Sequence, residues 1–373
     1  MKEGKGLLYI PDISGFTKFV TQTEQKHSKH IIRELIEVIL DSNKLELLVS
    51  EIEGDAVLYY KPGPAPSLAE IIEQTKQMFI NFHSYLKVIE RDRVCQCGAC
   101  STASKLSLKF ITHYGELEEV SIQNFKKIMG SDVILAHRLL KNNIDASEYL
   151  LYTCQFTNEL KEKAQLENWV EEYSYSEEIE NFGNIESKYI SLSSLKNELP
   201  EVPPISPARP VTGEPDLVTI IDAPMLFVHE ALTDQQHKWE YVEGIKELRG
   251  EVDINRLNSS HTCVFDDLEV HFVTTGHSAA NEQMSFSERA EVSIGVTFTN
   301  YYILKSIDGS TELSLYVIQD DPNKEESSFL SGFFNSLKKK IIRIKLLQTA
   351  GKGQEKFKAY CERKYNEQEP VNT

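Results

Sequence analysis

Two aspartates stand at positions where a pair of carboxylates could hold divalent cations. Asp12 follows the short apolar run 7–10 and a proline, and Asp55 lies at the tip of a predicted strand–turn–strand segment, residues 45–60. In a β-α-β-β sheet both positions fall at one edge, and carboxylate oxygens suit Mg²⁺ or Mn²⁺. Two such ions activate a hydroxyl and neutralise a departing pyrophosphate. The alternative is structural, with Asp12 as a helix cap and Asp55 as a turn former.

Three of the six cysteines crowd into the run CQCGAC, as Cys95, Cys97 and Cys100. Thiolates at this spacing can reach one ion, and a tetrahedral Zn²⁺ site needs a fourth ligand. The sequence offers three candidates for it: His83, His113 and Cys154. We expect such a zinc to be structural. The alternatives are half-buried thiols or a redox-active dithiol.

The elements that position these residues follow the order β-α-β-β-α-β. Apolar residues recur at helical spacing over 31–39 and 71–89, and a Ser67–Glu70 capping box starts the second of these helices. Leu106, Leu108 and Phe110 alternate with polar residues, as in a strand. The order predicts an α+β domain with a ferredoxin-like sheet and helices on one face.

Four short motifs give this region a recognisable pattern: DISGFTKF (12–19), EIEGDAVL (51–58), ITHYGE (111–116) and GSDVILAHRL (130–139). In order and spacing they resemble the class III adenylate/guanylate cyclase homology domain, over residues 5–160. The resemblance implies a nucleoside triphosphate substrate, a 3′,5′-cyclic monophosphate product and a homodimer with its active site at the interface.

The same resemblance assigns roles to individual residues. Asp12 and Asp55 would be the metal-binding aspartates, with Arg138 as the transition-state arginine. Ile13 would offer its carbonyl, Gly15 would let the chain approach the phosphates, and the amides of Phe16 and Thr17 would hold the triphosphate. Glu51 and Lys127 fall on the two base-reading positions, where Glu51 is similar to the guanylate type.

One departure from the family pattern bears on activity. The asparagine that positions the ribose falls on Ile134, which has no hydrogen-bonding group. A missing donor of this kind costs about 10²- to 10³-fold in rate. Two interpretations follow: a divergent cyclase, or a catalytically inactive scaffold that dimerises or senses a nucleotide.

A proline-rich segment, residues 197–215, holds six of the chain's 13 prolines and predicts a linker. It separates a first domain, 1–196, from a second, 216–365, with a tail at 366–373. The second begins with IDAPMLFVHEALTDQQHKWEYVEG and is similar to the helix-grip superfamily of START and polyketide-cyclase-like (SRPBCC) domains. That resemblance implies a pocket for a small apolar ligand that modulates the first domain, and a structural module is the alternative.

Composition narrows the class of protein. Forty Lys and Arg against 57 Asp and Glu give the 373-residue chain a formal charge of −17, which disfavours a nucleic-acid or anionic-membrane partner. No apolar run approaches the length of a membrane span, and no signal core follows the start. We therefore expect a cytoplasmic protein.

Overall fold

The structure of the chain is a computed structural model that describes residues 2–123, 125–160, 166–203, 213–250, 252–279, 282–293, 295–319 and 329–368. It divides into two compact units: one of residues 1–91 and 97–203, the other of residues 92–96 and 204–373. The middle of the predicted linker, residues 204–212, lies outside the described ranges.

The first unit is built around one mixed sheet. Its elements are β1 Lys2–Ser14, α1 Phe16–Gln22, α2 Gln25–Asp41, β2 Leu48–Glu53, β3 Ala56–Pro62, α3 Leu68–Asp92, α4 Gly98–Thr102, β4 Ser107–Ile122, β5 Phe125–Met129, α5 Ser131–Leu139, β6 Tyr149–Thr153, α6 Cys154–Asn158, β7 Glu172–Ile179 and β8 Gly183–Ser191. The strand order is β2-β3-β1-β4-β6-β8-β7, with β5 paired to β4. The first four strands are antiparallel neighbours in the order of a ferredoxin-like sheet, which confirms the predicted α+β class.

The centre of this sheet is covered on both faces, which corrects the expectation of helices on one face. Tyr9 bonds the Thr75 hydroxyl of α3 at 2.9 Å, whereas its neighbours Leu8 and Ile10 pack in the cluster that contains Leu135 of α5. All four residues of the run 7–10 are fully buried. A strand buried on both faces reads as a continuous apolar run rather than an alternating one.

The capping box at the start of α3 is confirmed. The Ser67 backbone N–H donates to Glu70 Oε2 at 2.8 Å, and the Glu70 N–H donates back to Ser67 Oγ at 3.3 Å. Two backbone donors that the first turn leaves unpaired are thereby satisfied.

The second unit contains an antiparallel sheet, short helices and a long last helix. The elements are β9 Leu217–Ile221, α7 Met225–Thr233, α8 Lys238–Tyr241, β10 Glu247–Gly250, β11 Ser260–Val264, β12 Glu269–Ala279, β13 Gln283–Val292, β14 Val296–Ile307, β15 Ser310–Gln319 and α9 Phe329–Gln368. The seven strands follow the order β10-β11-β12-β13-β14-β15-β9. Phe357 and Cys361 of α9 are buried in a core with residues of α7, β13, β14 and β15.

Helix α9 continues past the predicted end of the second domain at 365 and reaches Gln368, and the rest of the predicted tail, 369–373, lies outside the described residues. Among the described residues, no helix combines the length and the apolar character needed to cross a bilayer.

Candidate functional site

Asp12 and Asp55 line one open cleft of about 720 Å³ in the first unit. Asp12 lies within β1 rather than after it, because β1 continues through Pro11 to Ser14. Pairing of β1 with β3 skips residues 10 and 11 and resumes at Asp12–Ala56, so the missing N–H of Pro11 does not interrupt the strand. Asp55 follows in the β2–β3 turn, and its carbonyl accepts the Ile13 N–H at 3.0 Å.

The two carboxyl groups lie in an environment that disfavours their charge. Burial raises the pKa of Asp12, although the nearby Lys109 ammonium opposes this rise. Burial, and next the charge of Asp12, raise the pKa of Asp55 to about 6. Two carboxylates that repel one another at one edge form a donor set suited to a hard divalent cation.

Lys109 on β4 is a site residue that sequence reasoning missed. It is directly opposite Asp12 in the β1–β4 register, and its Nζ lies 3.2 Å from Asp12 Oδ2. The same Nζ donates to the Leu140 carbonyl at 2.8 Å. The cleft therefore contains an internal cation beside one of the proposed metal ligands.

The two predicted base-reading residues are brought together. Lys127 on β5 forms an ion pair with Glu51 on β2, and this contact raises the pKa of Lys127. His137 of α5 lies 3.7 Å from the other oxygen of Glu51. This cluster forms one wall of the cleft, in which Glu51 meets Lys127 on one side and His137 on the other.

Arg138 and Ile134 reach the cleft from α5. The Arg138 guanidinium donates to the Glu180 carbonyl at 3.3 Å and lies over the ring of Phe182. Ile134 is 53% exposed, so an apolar side chain stands on the cleft rim at the position that the resemblance assigns to an asparagine. Lys141 adds another cationic side chain to the lining.

The predicted phosphate-binding residues are only partly placed in the cleft. Thr17 lines it, whereas Ile13, Gly15 and Phe16 are not among the lining residues. Gly15 precedes α1 with φ +89°, a left-handed conformation that favours glycine. Ile13 is buried, and the ring of Phe16 lies near Gly54 in the turn that carries Asp55.

The motifs ITHYGE and GSDVILAHRL meet in a hydrogen-bond network at the start of α5, in which His113 is buried and Asp132 is partly exposed. His113 Nε2 lies 3.1 Å from Asp132 Oδ1, and the Glu116 N–H donates to Asp132 Oδ2 at 2.7 Å. The hydrogen bond with His113 lowers the pKa of Asp132. Asp132 packs so closely against Gly115 that a Cβ there would lie 2.3 Å from its carboxyl.

Two of the clustered cysteines, Cys97 and Cys100, lie beside a histidine that is not one of the expected fourth ligands. His27 Nδ1 lies 3.1 Å from Cys97 Sγ and 3.6 Å from Cys100 Sγ. His83 instead bonds Ser107 and His113 bonds Thr153 and Asp132. Sequence spacing gave no signal for His27, which is on α2, far from the CQCGAC run.

The second unit encloses a smaller cavity of about 210 Å³ between the sheet and α9. A buried ion pair lies at its edge, with Lys238 Nζ 3.2 Å from Glu288 Oε2 and 3.9 Å from the centre of the Phe272 ring. Gln354 also lines the cavity; it is buried, and its Nε2 finds no hydrogen-bond acceptor among the described residues.

Comparison with known proteins gives partial matches. The family model "Protein of unknown function (DUF2652)" matches residues 32–149, less than half of the chain. That range includes Asp55, the three cysteines and Arg138 but not Asp12 or His27. An uncharacterised protein of Mycobacterium tuberculosis is 35% identical over 120 residues, which are 32% of this chain and 56% of that protein. The match thus spans little more than half the length of this curated relative.

Solved structures similar to the chain include cyclase domains. The catalytic core of a rhodopsin-guanylyl cyclase with converted specificity, in complex with ATPαS, is 14% identical with a TM-score of 0.38, covering 51% of this chain and 97% of that one. The adenylyl cyclase CyaB from P. aeruginosa is 14% identical with a TM-score of 0.38, covering 51% and 95%.

Proposed function

We propose that the first unit is a divergent class III-like nucleotide cyclase, which converts a nucleoside triphosphate to a 3′,5′-cyclic monophosphate and pyrophosphate. The observation that carries the proposal is the placement of Asp12 and Asp55 in one cleft, with the pKa of Asp55 raised to about 6 by burial and by Asp12. Such a carboxylate pair would hold Mg²⁺ or Mn²⁺, and the bound ions would activate the 3′-hydroxyl and neutralise the pyrophosphate.

The cationic residues of the cleft support a triphosphate ligand. Lys109, Arg138 and Lys141 line the same space as the aspartates and would offset the charge of the phosphate groups. Glu51, with Lys127 and His137 around it, would face the base and accept hydrogen bonds from its edge. Positioning of the reacting groups is the main contribution that these side chains would make.

A homodimer is part of this proposal. The edge strand β2 carries Leu48 and Ile52, each about half exposed, and Met129 and Ile134 lie half exposed on β5 and α5. The Lys127–Glu51 ion pair joins β5 to β2 beside these residues. Burial of these apolar side chains against a second copy of the chain would be more favourable than their exposure to water.

The test incubates purified protein with ATP, GTP, CTP or UTP and Mn²⁺, and detects cyclic monophosphate and pyrophosphate by mass spectrometry. We expect one cyclic product with the wild type, none with the Asp12→Asn, Asp55→Asn double variant, and full activity with Asp145→Asn, which removes an exposed carboxylate outside the cleft. Circular dichroism checks that the double variant folds. No product from any of the four nucleotides would contradict the proposal.

A catalytically inactive, nucleotide-sensing or dimerising scaffold is the second candidate function, and two contacts and one side-chain type favour it. Lys109 already neutralises part of Asp12, Arg138 is bonded to the Glu180 carbonyl, and Ile134 offers no donor to a ribose. On this alternative the wild type binds nucleotide with Mn²⁺ in equilibrium dialysis without turning it over.

We propose further that the second unit is a helix-grip domain whose cavity binds a small, mainly apolar ligand and modulates the first. The buried Nε2 of Gln354, which faces no acceptor among the described residues, supports a ligand that carries one oxygen. The test uses 2-naphthol as the probe and measures its binding through the change in its fluorescence. We expect Ala350→Trp, which fills the cavity, to abolish binding, and Leu226→Trp, at an exposed position of α7, to leave it unchanged.

A further inference from the structure

We propose that His27, Cys95, Cys97 and Cys100 form a structural Zn²⁺ site, separate from the cyclase cleft. His27 Nδ1 lies 3.1 Å from Cys97 Sγ and 3.6 Å from Cys100 Sγ. In a tetrahedral site with Zn–S of about 2.3 Å and Zn–N of about 2.0–2.1 Å, the nitrogen and sulfur ligands lie about 3.5 Å apart. The imidazole therefore stands at ligand distance from both thiols.

Local chain geometry presents the thiols to one point. The Cys100 N–H lies 3.5 Å from Cys97 Sγ, so the first thiol of the pair accepts a hydrogen bond from the backbone of the second. Cys95 is only two residues before Cys97 in the sequence, so the chain connection makes it the candidate for the fourth ligand. Little reorganisation would be needed to bind an ion.

Glu24 holds the segment from the side of α2. Its Oε2 accepts the Ala99 N–H at 2.9 Å, and a Cβ at Gly98 would lie 3.2 Å from the same carboxyl. Residue 24 precedes α2, and His27 is in the first turn of that helix. Contacts within the protein therefore hold the start of α2 against the CxCxxC segment without an ion.

The donor set selects the ion and its role. Three thiolates and one imidazole are soft or borderline ligands, which favour Zn²⁺ over Mg²⁺, Ca²⁺ or Mn²⁺. All four tetrahedral positions are filled by protein groups, so no position is open for substrate or water. The site would join the start of α2 to the connection between α3 and β4. Helix α2 comes just after α1, and α1 begins four residues beyond Asp12. Its contribution is to stability rather than to turnover.

The test measures metal in the full chain, reduced with a phosphine and dialysed. We expect about one Zn²⁺ per chain by plasma mass spectrometry, and after Co²⁺ exchange the intense d–d bands and thiolate charge-transfer band of a tetrahedral thiolate site. Cys97→Ser with Cys100→Ser should lose both signals. Cys154→Ser, which removes a thiol outside the cluster, should keep them.

His27→Ala tests the fourth ligand against His30→Ala, one turn further along α2. We expect His27→Ala to bind Co²⁺ more weakly and with a changed d–d spectrum, and His30→Ala to match the wild type. Reduced wild-type protein that binds neither Zn²⁺ nor Co²⁺ stoichiometrically would overturn the proposal, as would a double cysteine variant that binds like the wild type. If a variant fails to fold, the Co²⁺ spectrum of the wild type still decides.

Discussion

Lys109 Nζ lies 3.2 Å from Asp12 Oδ2, across the register pair that joins β4 to β1 at the floor of the cleft. The ammonium offsets part of the cost of burying the Asp12 carboxylate, since it lowers a pKa that burial raises. The same ammonium would repel a divalent cation bound to Asp12. The proposed metal site therefore includes a competitor supplied by the protein.

Removal of this competitor should tighten cation binding. We expect Lys109→Met to bind Mn²⁺ on the order of 10-fold more tightly than the wild type, a change of about 1.4 kcal/mol, because one repulsive charge is lost. Isothermal titration calorimetry measures the affinity, with Lys105→Met, an exposed lysine just before β4, as the control. Weaker Mn²⁺ binding by Lys109→Met would show that Lys109 supports the site rather than competes with it.

The raised pKa of Asp55 predicts a stability that depends on pH. The pKa of Asp55 is about 6 in the folded state and 3.8 ordinarily, so the folded state binds this proton more tightly than the unfolded state does. Proton binding by Asp55 therefore stabilises the folded state fully below about pH 4, and this stabilisation is lost as the pH rises through 6. Urea unfolding gives the free energy of unfolding of Asp55→Asn and of the wild type at each pH. We expect the difference, variant minus wild type, to be about 1 kcal/mol larger at pH 7.5 than at pH 4. An equal difference at both pH values would contradict the raised pKa.

Ile134→Asn should increase turnover. The residue is exposed on the cleft rim, so an amide there costs little burial and supplies the donor and acceptor that isoleucine lacks. In an active preparation we expect kcat to rise about 10- to 100-fold with a small change in KM. Ile134→Ala controls for side-chain size, and a similar gain in that variant would point to steric relief instead.

The proposed dimer can be tested by complementation. Asp55 and Arg138 of one chain line the same cleft, whereas in the proposed dimer the catalytic arginine at each site comes from the partner. If the partner supplies Arg138, Asp55→Asn and Arg138→Ala are each inactive alone, but a mixed dimer contains one intact site. Mixing equal amounts under conditions that exchange subunits should make about half of the dimers mixed, each with one intact site, and restore about a quarter of the wild-type activity. A mixture that stays inactive, although light scattering shows mixed dimers, would place the site within one chain.

The Lys238–Glu288 pair of the second unit should show strong coupling. Both side chains are at most 10% exposed, so either single substitution, Lys238→Met or Glu288→Gln, leaves a buried charge without its partner and costs about 3 kcal/mol or more. The double variant removes both charges and should be more stable than either single one. Urea unfolding of the four proteins measures the cycle, and additive losses would exclude the coupling.

Local signals predicted the elements of the first unit better than the contacts within its site. The alternation around Leu108 and the Ser67–Glu70 box act over a few residues, and both elements are found. The two aspartates were expected at one edge because strand order follows from connection rules, and both line the cleft. Lys109 and His27 were missed because their roles depend on register and on helix packing between distant segments, which leave no spacing in the sequence.

The contact between Gly115 and Asp132 limits how this chain and its relatives can diverge. A side chain at 115 would overlap the carboxyl that accepts the Glu116 N–H and meets His113 at the start of α5. A side chain at residue 115 requires that the Asp132 side chain be displaced or shortened, and His113 then loses its carboxylate partner. Residues 113, 115 and 132 should therefore change together among relatives. Where all three differ, we expect other contacts to hold α5, the helix that carries Ile134 and Arg138.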